Sequence, residues 1–348
     1  MDLLGLPVLI GVIALAVVAT TASVVLWKRL RGPHPLQILQ RVGLILLCQV
    51  TALAAVGASV NREYEFYASL GELVSGGEQT ATRVLDAPPT GTSPAPRTVR
   101  FTPYGDGVQV ATVYGPASRI RAQVYVWLPP HYDESTRRYP VVELLPGFPG
   151  PAHNWFTLMH VTRLMAQQRN PAILVSVTTQ VRSGQDVDCT DIPGGPQVRT
   201  WVGGDVRRVV ESSFRTSRDR RGWATMGYSE GGYCALKVAL QQPRDYSAAV
   251  SMSGYLTPTA PAVTRSPRLL AANDLVRTLG RRHPQVSVLA MATHQDAATA
   301  LDVTRLRAIA RPPTRVFSSV LASGGHNYGV WNAMLPGAVT WLCARLSV

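Results

Sequence analysis

The sequence predicts an α/β domain built on a mainly parallel sheet flanked by helices, preceded by a two-helix transmembrane hairpin. Three observations predict it. From residue 119 onward, short runs rich in Val and Ile and bounded by turn residues alternate with longer stretches of helical period. That alternation is the pattern of parallel strands joined by crossover helices. One strand runs into Gly227-Tyr228-Ser229-Glu230-Gly231 and on into a helical stretch, and two long uncharged runs stand at the N-terminus.

The first uncharged run, residues 6 to 27, is long enough to cross a hydrocarbon core as a helix. A cleaved signal peptide would open with a positive segment, whereas this chain opens Met1-Asp2 and has no basic residue before Lys28, which favours a retained span. A second run covers residues 42 to 60, with Gln49 and Thr51 as polar interruptions that a partner helix could satisfy. Neither run has a polar face, which sets them apart from buried core helices. Lys28, Arg29, Arg31 and Arg41 lie between the runs, while Arg62 beyond them is accompanied by Glu63 and Glu65. By the positive-inside rule the short connection is cytoplasmic and both termini face outward, so the expected location is the cell membrane, multi-pass, with the globular domain extracytoplasmic. Tyr64, Phe66 and Tyr67 are expected interfacial anchors. The expected domains are a two-span anchor at 1–60, a juxtamembrane and Pro/Gly/Thr-rich linker segment at 61–98, and a globular domain at 99–348.

The net charge of +13 comes almost entirely from arginine, with Lys28 and Lys237 the only lysines. The arginines are scattered through the chain with no interleaved aromatic stripe, so nucleic acid is not expected as a partner. A basic outer surface near anionic lipids or wall polymers is the better reading. Of the four cysteines, Cys48 falls in the second run. Cys189, Cys234 and Cys343 allow three pairings in an oxidising compartment, of which Cys189 with Cys234 is favoured; three small buried residues is the alternative.

Within the globular domain the expected strands are 120–128, 140–145, 172–178, 222–227, 247–253, 286–292 and 315–322. Helical spacing is clearest around 155–168, 200–213, 230–242 and 332–346. The segment Gly227 to Gly231 matches G-x-S-x-G. The bare pattern is weak in a chain with 29 glycines, but its strand, tight turn and helix context is specific. A turn sharp enough to lift a serine hydroxyl clear of the sheet needs small residues two positions either side.

A serine hydroxyl needs a base to take its proton, and His is the usual one. His326 stands in Ser323-Gly324-Gly325-His326, after the last strand and before the last helix. His283, before a strand, and His294, in the loop where the acid belongs, occupy worse positions. The acid expected between Ser and His in chain order is Asp296, after the strand 286–292, with Asp302 as runner-up. The oxyanion needs two backbone donors. Glu230, after the nucleophile, supplies one, and Phe148 in Pro146-Gly147-Phe148-Pro149-Gly150 the other, since Pro149 has no N–H. The Glu230 carboxylate would oppose a developing oxyanion unless it points away or pairs with an arginine.

The segments LPPHYD at 128–133, PGFPG at 146–150 and GYSEGG at 227–232, with Gly325-His326 and Trp331 five residues on, resemble the esterase D-like branch of the α/β-hydrolase fold. That branch includes the secreted mycolyltransferases of actinobacteria and simple carboxylesterases. The resemblance spans roughly residues 105 to 346. It implies Ser229 as nucleophile, His326 as base, Asp296 as acid and the Phe148 and Glu230 amides as oxyanion donors. This chain departs from the mycolyltransferases at Pro146-Gly147, where they carry Asp-Gly, and in its two spans.

The expected activity is that of a membrane-anchored serine hydrolase, an esterase or an acyltransferase, working through an acyl-serine intermediate on an acyl ester or lipid substrate. No cofactor is needed, and no metalloenzyme signature such as H-E-x-x-H occurs. The rival from another class is an inactive domain of the same fold that binds wall or lipid ligands; a broken triad would mark it, and the three residue types stand here in the required order.

Overall fold

A computed structural model of the protein describes residues 6–30, 33–64, 99–181 and 185–347. The chain forms two compact units, Met1–Glu78 and Gln79–Val348. The expected juxtamembrane and linker segment at 61–98 falls outside the described residues from residue 65 on, as do Phe66 and Tyr67 and the side chain of Tyr64.

The first unit holds two helices, α1 (Leu6–Trp27) and α2 (His34–Tyr64), both long and apolar enough to cross a membrane. The second starts well before residue 42, so Arg41 lies on it rather than in the connection, with its guanidinium 5.3 Å from the centre of the Trp27 ring. Thr51 satisfies its hydroxyl within its own helix, donating to the Leu47 and Cys48 carbonyls, and not through the partner helix. A polar contact between the helices joins Ser23 Oγ and Cys48 Sγ at 3.1 Å.

The second unit is built on a nine-stranded sheet in the order β1-β2-β3-β5-β4-β6-β7-β8-β9. The strands are β1 (Thr102–Gly105), β2 (Val108–Tyr114), β3 (Arg121–Trp127), β4 (Val141–Leu145), β5 (Ile173–Val177), β6 (Trp223–Tyr228), β7 (Ala248–Met252), β8 (Ser287–Thr293) and β9 (Arg315–Leu321). The first three run antiparallel, and β4 to β9 are parallel. Every residue of β4 to β7 is buried, because helices cover both faces of a parallel sheet; this is why those segments read as nearly unbroken apolar runs. At the sheet's edge, β9 alternates between half-buried and exposed positions over most of its length.

The flanking helices include α3 (Val161–Ala166), α4 (Arg207–Ser213) after a π-helical stretch Trp201–Val206, α5 (Glu230–Gln241), α6 (Ala297–Ile309) and α7 (Tyr328–Cys343). One core joins Trp201, Tyr233 and Leu236 to the sheet, and the other joins Trp155, Trp331 and Leu335 to its opposite face. Each such side chain contributes roughly 1.5–3 kcal/mol through burial.

All seven expected strands are present. The structure adds the β1–β2 hairpin, turned by Asp106 and Gly107 at positive φ, as well as α6 and three short helices within residues 261–281. Cys189 and Cys234 are joined by a disulfide, and Cys48 and Cys343 are free. That bridge ties the segment after β5 to α5.

Candidate active site

Ser229 stands at the carboxy end of β6 with φ 56° and ψ −126°, a conformation costing a non-glycine residue about 1–3 kcal/mol. The strain is held by close packing. A Cβ on Gly227 would run into the carbonyl of Gly231, and one on Gly231 into the carbonyl of Leu145 on β4. The turn is pinned further by the Ser229 N–H, which donates to the Met252 carbonyl at the end of β7 (2.9 Å).

The structure brings Ser229, His326 and Asp296 together. Ser229 Oγ lies 2.8 Å from His326 Nε2, and His326 Nδ1 lies 2.7 Å from Asp296 Oδ2. An ionised Asp296 fixes the proton on Nδ1, which leaves Nε2 free to accept from the serine hydroxyl. Burial works against the Asp296 charge, but hydrogen bonds from His326 and Thr299 outweigh it and hold the carboxyl below the usual range. The Asp296 N–H donates to Thr293 Oγ1 (3.0 Å), whose hydroxyl donates in turn to the Gly324 carbonyl in the loop carrying His326. Thr293 therefore links the acid's loop to the base's loop.

The alternatives weighed on the sequence lie elsewhere. Asp302 is on α6 and accepts from the Leu256 N–H. His283 precedes β8, at the far end of the strands, and the His294 N–H continues the sheet by donating to Leu321.

The loop 146–150 closes over the nucleophile: a Cβ on Gly147 would lie 3.0 Å from Ser229 Cβ. Gly147 uses its N–H on the Tyr228 hydroxyl and its carbonyl on Gln180. Among the described residues no hydrogen bond occupies the Phe148 N–H. The Glu230 N–H is in the first turn of α5, where amides lack intrahelical acceptors.

Among the described residues no arginine pairs with the Glu230 side chain. It is buried, accepts from the Cys189 N–H, and has its pKa pushed well up, first by burial and then by Asp186 and Asp188. Lys237, whose charge works against that rise, is itself pushed down to about 7 by burial and donates to Thr190 Oγ1 (2.7 Å) and the Asp188 carbonyl (3.1 Å).

Sequence reading missed the supporting groups. Gln180 Nε2 donates to the Gly147 and Gly150 carbonyls (3.0 and 2.9 Å), clamping both ends of the loop. Asn154 Nδ2 donates to the Tyr328 hydroxyl (2.7 Å), which is bonded to the Tyr228 hydroxyl (2.9 Å). Tyr228 stacks on Trp331 at 4.5 Å, and Trp331 meets the His326 ring edge-on at 5.2 Å. A run of polar residues, Thr178-Thr179-Gln180, directly after a fully buried strand was the available signal for Gln180. Among the described residues no group of three or more His, Cys, Asp and Glu is placed to hold a metal ion.

A mainly parallel sheet with helices on both faces and a serine on a strained strand-to-helix turn defines an α/β-hydrolase. Residues 117–342 match the family described as Putative esterase, and the chain belongs to that family. It is an esterase-family hydrolase with two apolar N-terminal helices. An uncharacterized protein of Corynebacterium glutamicum is 25% identical over 384 residues, covering 97% of this chain and 89% of the relative. The fold is similar to that of an S-formylglutathione hydrolase from Agrobacterium tumefaciens (TM-score 0.60, 15% identity, 71% of this chain and 99% of that one). It is also similar to the fluorophosphonate-binding serine hydrolase F of Staphylococcus aureus (0.55, 17%, 68% and 98%) and to MPT51 of Mycobacterium tuberculosis (0.52, 17%, 68% and 97%).

Proposed function

We propose that the protein is a membrane-anchored, extracytoplasmic serine esterase or acyltransferase that works through an acyl-Ser229 intermediate. The observation that carries this reading is the continuous relay from Ser229 Oγ through His326 to Asp296, at 2.8 and 2.7 Å. Ser229 Oγ attacks the ester carbonyl carbon as its proton passes to His326 Nε2, and Asp296 stabilises the imidazolium that forms. The carbonyl oxygen, now an oxyanion, accepts from the Phe148 and Glu230 N–H groups. The tetrahedral adduct collapses, the bond to the alkoxy oxygen breaks, and His326 returns the proton to the departing alcohol. Water or a second alcohol then attacks acyl-Ser229 by the same steps in reverse, giving an acid in the first case and a new ester in the second.

The anchored, outward-facing arrangement is supported by two apolar helices joined through a connection containing Lys28, Arg29 and Arg31. The Cys189–Cys234 disulfide suits an oxidising compartment. The test is turnover of a series of p-nitrophenyl esters by the full chain in detergent, with glycerol added as a competing acceptor. Release of p-nitrophenol by the parent and its absence in Ser229→Ala are expected. Equal turnover by both proteins would defeat the assignment, and the ratio of glyceride to free acid separates transfer from hydrolysis.

A further inference from the structure

The two ends of the parallel strands differ in charge. Ser229, Asp296 and His326 all follow the carboxy ends of strands, and the loops leaving β4 to β9 carry Asp186, Asp188, Asp191 and Asp296 against Arg182. The loops leading into those strands, together with residues 344–347, carry eleven arginines against Asp133, Glu134, Asp219 and Asp245, and Arg315 opens β9. All six parallel strands are reached through a segment with at least one arginine: Arg138, Arg169, Arg221, Arg244, Arg282 and Arg311. All but the half-buried Arg138 are exposed.

This end of the sheet also has a shaped receptor. A cleft of about 570 Å³ is lined by Arg220, Arg221, Arg315 and Arg345 beside Gln285 and Pro312. Two of these guanidinium groups are fixed in place. Arg220 donates to the carbonyls of Pro243 (2.6 Å), Tyr246 (3.0 Å) and Gln285, while Arg345 lies 4.1 Å from the centre of the Trp341 ring and 4.4 Å from that of Phe317. A planar guanidinium held in advance loses little freedom on taking a phosphate, and Arg220 keeps its Nη1 hydrogens for one. A second cleft, lined by Arg137 and Arg138, takes in Leu346 and Ser347, next in the chain to Arg345 of the first.

We propose that this end of the hydrolase domain is a docking surface for the phosphate headgroups of an anionic bilayer, with the cleft between Arg220 and Arg345 seating one of them. Lipid is the occupant because the same chain carries two helices apolar enough to enter a bilayer, and in that choice the inference rests on the proposed anchoring. Basic residues within a Debye length of an anionic leaflet strengthen binding about fivefold each, and salt removes the effect. Docked this way, the catalytic end faces away from the headgroups. Substrate then reaches Ser229 from the aqueous side and not from the leaflet below.

The test is hydrogen exchange of the full chain in nanodiscs of phosphatidylcholine, alone or mixed with phosphatidylglycerol. Cofractionation with neutral discs reads the anchor, and the difference between the two lipids reads the docking. Exchange over 214–222 and 310–315 should slow several-fold with phosphatidylglycerol only. The slowing should vanish at high salt and in Arg282→Glu/Arg315→Glu, and persist in the charge-keeping pair Arg282→Lys/Arg315→Lys. Fluorophosphonate labelling of Ser229 reports in each variant that the fold is intact. Equal exchange in the two lipids would overturn the proposal, as would slowing by soluble poly(glycerol phosphate) with none by phosphatidylglycerol, which would make the surface a receptor for wall polymer.

Discussion

The nucleophile and its base are held in different ways. Ser229 sits between a buried strand and a buried helix, where Gly227 and Gly231 are the only residues that fit, and its backbone is strained. His326 sits on a glycine-rich loop with its side chain 42% exposed, positioned by hydrogen bonds to Asp296 and Ser229 and by the edge of Trp331. The nucleophile is thus fixed by steric exclusion, which tolerates no added atom. The base is fixed by polar contacts, which can be removed one at a time without disturbing the core.

The comparison breaks most visibly at the glycines. Gly231→Ala drives a methyl into the Leu145 carbonyl and is expected to cost about 3 kcal/mol or more in stability, read by chemical denaturation, with loss of esterase turnover. Gly325→Ala meets nothing closer than Asn327 at 3.6 Å and is expected to stay within about 0.5 kcal/mol of the parent. Comparable losses from both would mean that the base loop is packed as tightly as the elbow.

Asp296→Asn should lower kcat by about 10³ to 10⁴-fold with little change in stability, because the amide cannot hold His326 in the tautomer that accepts from Ser229. Gln180→Ala should lower kcat by about 10²-fold with KM nearly unchanged, since Gln180 positions the loop carrying the Phe148 N–H and touches no substrate. A rise in KM with kcat intact would assign Gln180 to ground-state binding instead.

Much of this was legible in the sequence. Fully buried strands announce themselves as apolar runs, and the elbow's glycines are dictated by sterics that any chain making this turn must satisfy. The β1–β2 hairpin was not read because it lies outside the alternation of strands and helices, although Asp106-Gly107 is a hairpin turn signal. Helix α6 was missed because its apolar residues form no strong stripe: Thr299, Val303 and Leu306 are buried while Leu301 is exposed. The raised pKa of Glu230 comes first from its burial and then from Asp186 and Asp188, more than 40 positions earlier in the chain, and no local pattern encodes it.

A smaller effect comes from the core. Burial raises the Glu143 carboxyl to about 8, against the Tyr246 hydroxyl bonded to it at 2.9 Å. The folded state therefore keeps a proton that the unfolded chain releases near its ordinary value of 4.5, so stability is fully present below that pH and declines as pH rises toward about 8. The slope is roughly 1.4 kcal/mol per pH unit for one proton. Glu143→Gln keeps the shape without the ionisation, and chemical denaturation across that window should show a flatter profile; an unchanged slope would remove Glu143 as its source.

The most direct measurement is the rate at which a fluorophosphonate labels the detergent-solubilised full chain, compared with Ser229→Ala and His326→Ala. The relay predicts rapid labelling of the parent, none in Ser229→Ala, and labelling slowed by orders of magnitude in His326→Ala, with all three proteins folded. Labelling of His326→Ala at the parent's rate, or a folded parent that does not label, would contradict it.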